Sequence, residues 1–75
     1  MMARGIALLT RIEKNPVSDL ALLRRNPAGI GTVLDLQVWA HRPEGGYLPC
    51  GTVSAKPEVW ARLLPALAEA VRDHD

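Results

Sequence analysis

The sequence predicts a single α+β domain, a strand-rich sheet over about residues 5–54 followed by one amphipathic helix over about residues 57–72. Three observations lead there. Residues 33–42 alternate between apolar and mostly polar side chains, the period of a half-buried strand. Asn-Pro and Gly-rich steps divide everything before Pro57 into pieces of strand length. From Pro57 onward the apolar residues recur at helical spacing.

Taken in order, Gly5 to Lys14 alternates loosely, with Ile6, Leu8 and Ile12 expected on one side and Arg11 and Glu13 on the other, and ends at Asn15-Pro16. Ser18 to Asn26 is a second strand with Leu20 and Leu22 facing one way. A helix is the alternative there, but Pro16 and Pro27 leave room for only about two turns. The third strand, Val33 to Arg42, places Leu34, Leu36, Val38 and Ala40 on the core side. Val33, Asp35, Gln37, Trp39 and His41 fall on the polar side. Pro43-Glu44-Gly45-Gly46 is a turn, and Tyr47 to Ser54 a fourth strand, bent or bulged by Pro49 and Gly51.

Pro57 suits the first helical position, where its missing N–H has no intrahelical partner. Glu58 faces the positive end of the helix dipole. Trp60, Leu63, Leu64, Leu67 and Val71 form one apolar stripe, and Pro65 is expected to kink the helix because it removes a backbone hydrogen bond.

A chain of 75 residues makes one domain and buries only about 60% of its unfolded surface, so it needs a staple or a partner. The single cysteine, Cys50, makes no internal disulfide, and His41 and His74 lack zinc-type spacing. Self-association is the default remedy. The apolar run Gly5 to Leu9 is too short for an export signal or a membrane span, and with the lone thiol it points to a reducing, cytoplasmic setting.

Residues 1–56 carry seven cations against four carboxylates, a net of +3, and residues 57–75 carry two against four, a net of −2. The basic half is a modest footprint for nucleic acid. Gly29-Ile30-Gly31 lacks the lysine and hydroxyl of a phosphate-cradling loop. His41 has only Asp35 as a candidate acid on its face, Cys50 reads as a small buried or half-exposed residue, and no nucleophile–base pair stands out. The expectation is a protein that is not an enzyme and needs no cofactor or metal.

The stretch Leu34-Asp35-Leu36-Gln37-Val38-Trp39-Ala40-His41-Arg42-Pro43-Glu44-Gly45, followed by Val53-Ser54-Ala55-Lys56-Pro57-Glu58-Val59-Trp60, resembles the C-terminal domain of transcriptional positive cofactor four. The Pro-Glu-Val-Trp helix opening after a strand is its most specific piece, and the match covers about residues 33–64. The resemblance implies a four-stranded, curved antiparallel sheet and one C-terminal helix (ββββα). It further implies a homodimer joined through helices and adjoining sheet, with single-stranded DNA on the polar sheet faces. The family's DNA-facing strand arginine falls on Gln37, its aromatics on Trp39 and Ala40, and its basic second-strand end near Arg24 and Arg25. Its helix-start tryptophan, a core residue there, falls on Trp60. Leu48-Pro49-Cys50-Gly51 stands where the family has lysines, and Ala40 replaces an aromatic.

The resulting expectation is a dimeric, sequence-tolerant binder of single-stranded DNA or RNA, an accessory to transcription, replication or repair. It is expected in the cytoplasm, or with the nucleoid in a prokaryote, with the transcription machinery as a further partner and no membrane. Arg11, Arg24, Arg25, Gln37, Trp39 and Arg42 are the candidate contacts: arginines for phosphates, and Trp39 for base stacking. Trp60, Leu63, Leu64, Leu67 and Val71 are assigned to the core or the dimer. The alternative is a small homodimeric interaction module that has lost nucleic-acid binding.

Overall fold

The structure is a computed structural model and describes residues 5–74; Met1 to Arg4 and Asp75, among them the Arg4 counted in the basic half, lie outside the described residues. Four strands, β1 (Ala7–Asn15), β2 (Ser18–Arg25), β3 (Val33–His41) and β4 (Tyr47–Ala55), precede one helix, α1 (Pro57–Asp73). The strands form one antiparallel meander in the order β1-β2-β3-β4. The ββββα architecture is thus the predicted one, and β2 is a strand rather than the alternative helix.

The connections follow their chemistry. At the β1–β2 turn the Asn15 side-chain carbonyl accepts from the Val17 N–H (3.0 Å) and the Ser18 hydroxyl (2.9 Å), an Asx arrangement that folds the chain back. At the β3–β4 turn the Gly45 N–H donates to the Arg42 carbonyl (3.0 Å). Gly45 and Gly46 then take φ of +102° and +78°, angles open to glycine and strained for other residues.

Register fixes two faces, because paired residues on antiparallel neighbours share a side. Leu20, Leu22, Leu34, Leu36, Val38 and Ala40 lie on the even face, joined by Ile12 from β1 and Leu48 and Val53 from β4. Asp19, Ala21, Asp35, Gln37, Trp39 and His41 lie on the odd face with Arg11 and Glu13. A register shift between Leu8 and Thr10 alters the expected side of one residue. Leu8 pairs with Leu23 on the odd face while Ile12 pairs with Leu20 on the even face. A second shift makes Cys50 an extra residue between Pro49, opposite Trp39, and Gly51, opposite Val38. This is the bulge expected from Pro49 and Gly51, and it leaves Cys50 exposed rather than buried.

The expected distribution of the core is reversed within one protomer. Of the buried residues, Asp19, Ala21, Val33, Asp35 and Trp39 belong to the odd face, and only Ser18, at the β1–β2 turn, pairs on the even one. The leucines of the even face are only half-buried, and Ile12, Leu48 and Val53 are exposed.

The helix does not close the sheet. Among its residues Trp60 alone is not exposed, and its indole N–H is shared between the Leu34 and Ala55 carbonyls, 3.0 Å from each. Leu63, Leu64, Leu67 and Val71 are 50–63% exposed, so of the stripe assigned to the core or the dimer only the half-buried Trp60 packs within the protomer. Pro65 does not interrupt α1.

The protomer measures 47 × 39 × 16 Å with a radius of gyration of 14.6 Å. A compact chain of this length has a radius of about 11 Å, and a helix laid on a sheet adds about 10 Å to its thickness. No helix among the described residues is long and apolar enough to cross a membrane.

Candidate nucleic-acid interface

The odd face carries two charged clusters held by buried carboxylates. At one end Asp35, only 2% exposed, accepts from Nε and Nη2 of Arg25 and from the Ser54 hydroxyl, the last at 2.6 Å. The Arg25 guanidinium holds the Asp35 carboxyl below its ordinary value, with help from Ser54 and against the cost of burial, and Asp35 in turn raises Arg25. Such a closed fork stabilises charge within the protein.

At the other end Asp19, 8% exposed, joins three strands. Its Oδ2 accepts from Arg11 Nε at 2.8 Å, and its Oδ1 lies 3.0 Å from His41 Nε2. The other ring nitrogen of His41 stands 3.2 Å from the Pro16 carbonyl oxygen, tying the β1–β2 turn to the end of β3. Arg11 first, and His41 next, hold the Asp19 carboxyl below its ordinary value.

Above this pair lies the aromatic centre. Trp39 and Tyr47 stack with ring centroids 4.5 Å apart and planes 3° from parallel. The Arg11 guanidinium carbon sits 5.1 Å from the Trp39 centroid and 4.4 Å from that of Tyr47, within cation–π range of both. Arg11 reaches them across β2 over Ala21, which pairs with both Arg11 and Gln37 and is fully buried. A larger side chain at Ala21 occupies that path.

Trp39 therefore stands on the expected face but is not an open platform. It is 7% exposed, stacked against Tyr47, and its indole N–H donates to the Gln37 side-chain carbonyl at 2.6 Å. Tyr47, 43% exposed, is the accessible ring. It escaped the sequence reading because the extra residue at Cys50 breaks the alternation of β4. Tyr47 and Thr52 differ in parity yet share the odd face. The available signal was the short turn, which sets Tyr47 opposite His41 and diagonal to Trp39.

The remaining expected contacts separate. Arg24 pairs with Leu34 on the even face, away from Arg25, which pairs with Val33 on the odd face, so the two arginines do not act as one basic edge. Arg42, beyond β3, donates through Nε to Glu44 at 3.0 Å with both side chains well exposed. Among the described residues no cluster of three or more His, Cys, Asp or Glu side chains is placed to hold a metal ion.

Compared with protein-family models, curated proteins and solved structures, the chain gives no match in any of the three.

Proposed function

We propose that this chain works as a homodimer that pairs its apolar surfaces and binds single-stranded nucleic acid on the odd sheet face. The observation that carries the binding reading is the stacked Tyr47–Trp39 pair beside Arg11, with one aromatic ring left accessible on the face that also carries Asp19, Gln37 and His41. Single-strand binders combine such stacking rings with cations that follow the backbone, and stacking contributes about 1–3 kcal/mol per base. The resemblance over residues 33–64 supports the same partner.

The dimer reading rests on area. The protomer exposes 5574 Å², whereas a compact monomer of its mass exposes about 4500 Å². The excess of roughly 1000 Å² compares with the ~800 Å² that each partner contributes to a standard stable interface. It coincides with the uncovered even face and the Leu63, Leu64, Leu67 and Val71 stripe.

Titrating the protein with a thymidine oligomer, following tryptophan emission with Trp39→Phe as control, tests the binding reading. The stack should make Trp39 emission respond, and retention should fall with salt at a log–log slope of about −0.7 per phosphate contacted. A matched uridine oligomer identifies which polymer is preferred. Absence of retention at low salt sinks the reading. One observation then favours a protein-interaction module instead: Arg11, Arg25 and Arg42 each already have a carboxylate partner.

A further inference from the structure

The three carboxylate-paired arginines are not equivalent. Arg25 commits both Nε and Nη2 to Asp35, so its fork is closed. Arg42 meets Glu44 in an exposed pair, worth at most about 1 kcal/mol and easily exchanged for another anion. Arg11 is anchored at Nε alone. Among the described residues neither of its Nη groups has a hydrogen-bond acceptor.

Where the Arg11 guanidinium stands follows from three distances. The centres of Trp39, Tyr47 and the Arg11 guanidinium are 4.4, 4.5 and 5.1 Å apart, nearly an equilateral triangle. A guanidinium on the far side of Tyr47 would stand roughly two stacking distances from Trp39, well beyond 5.1 Å. Arg11 and Trp39 therefore share the inner side of Tyr47, and Arg11 does not cover its outer ring face. Asp19 fixes the arrangement, since one of its oxygens receives Arg11 and the other meets His41, and the residue is too buried to swing out.

We infer that Tyr47, Arg11 and Asp19 form one nucleotide subsite. Tyr47 takes a base on its outer face, Arg11 takes the adjoining phosphate through its Nη groups, and Asp19 is a positioning residue that holds Arg11 for it. This rests on the proposed binding of single strands and names the place where it happens. Asp19 makes the inference sharp because its charge and its geometry act in opposite directions. A carboxylate near a phosphate repels it, so its neutralisation alone raises affinity. A carboxylate that orients Arg11 lowers affinity when lost.

The test is the affinity of the full chain for a thymidine oligomer, over a series of salt concentrations, for five proteins. They are the wild type, Tyr47→Ala, Tyr47→Phe, Arg11→Gln and Asp19→Asn, with folding checked by the near-ultraviolet circular dichroism of the tryptophans. Tyr47→Ala should weaken binding about tenfold with an unchanged salt slope, and Tyr47→Phe should restore it. Arg11→Gln should make the slope shallower by about 0.7, the share of one phosphate. Asp19→Asn should weaken binding despite the added net positive charge. Tighter binding by Asp19→Asn, or wild-type affinity in Tyr47→Ala, overturns the subsite. If Asp19→Asn does not fold, the Tyr47 and Arg11 variants, both at exposed positions, decide the outcome. Loss of retention in the wild type itself defeats the binding reading, an outcome distinct from retention that ignores these residues.

Discussion

Asp19 and Asp35 sit on neighbouring strands, and each gathers its partners from more than one strand. Asp35 is the more structural of the two, because Arg25 occupies both of its oxygens in a closed fork and Ser54 adds a second donor to Oδ1. Asp35→Ala removes bonds to a charged acceptor, and its expected cost is about 2 kcal/mol in urea unfolding. Both carboxyls titrate below their ordinary value of 3.8, chiefly because Arg11 and Arg25 favour the ionised form. The folded protein therefore binds fewer protons than the unfolded chain. Their stabilisation is complete above pH 3.8 and is lost as pH falls through the lower folded values. The stability difference between wild type and Asp35→Ala should accordingly shrink as unfolding is measured at successively lower pH below 3.8. A difference that persists unchanged there would contradict this assignment. At this scale Trp39 was legible as a residue of the polar face. Its cover was not, because Tyr47 and Arg11 reach it from β4 and β1.

At the scale of elements, two irregularities decide what faces where. Were Cys50 a paired member of a regular strand instead of a bulge, strict alternation would separate Tyr47 from Thr52 and Ser54, which share the odd face. The shift between Leu8 and Thr10 likewise turns Leu8 away from the side of Ile12. The helix is legible from its ends inward: Pro57 at its start, where its missing N–H has no partner to lose, and Glu58 in the first turn and Arg72 in the last, as the dipole favours. Pro65 lies inside an unbroken helix at a local cost, relative to alanine, of up to about 3 kcal/mol. Pro65→Ala should therefore raise the melting temperature followed by helical circular dichroism. A fall would show that the proline is needed for the contact made by the apolar stripe.

For the molecule as a whole, the chief feature is unfinished burial. The sheet leaves its even face open and the helix lies off it, tied down by Trp60. In the proposed dimer, a second copy would offer the matching apolar surface and supply the area that a chain of this size lacks. Leu67→Glu places a charge in the exposed apolar stripe. It should shift sedimentation velocity from dimer to monomer and lower stability, because the monomer returns roughly 1000 Å² to water. A wild type that sediments as a monomer at micromolar concentration would remove the dimer.

Period and punctuation were enough to specify the order of four strands and a helix, the turn at Gly45-Gly46 and the side taken by every residue of β3. These are local properties, written in the alternation of residues 33–42 and the stripe after Pro57. Tertiary structure alone decided which side is covered, because a bulge moves a whole strand segment to the other face without changing its composition. It also decided that Trp39 is shielded while Tyr47 is open, and that Arg25 is engaged while Arg11 keeps its Nη groups available. Those outcomes depend on distances between strands, and such distances arise only once register, bulges and turns act together.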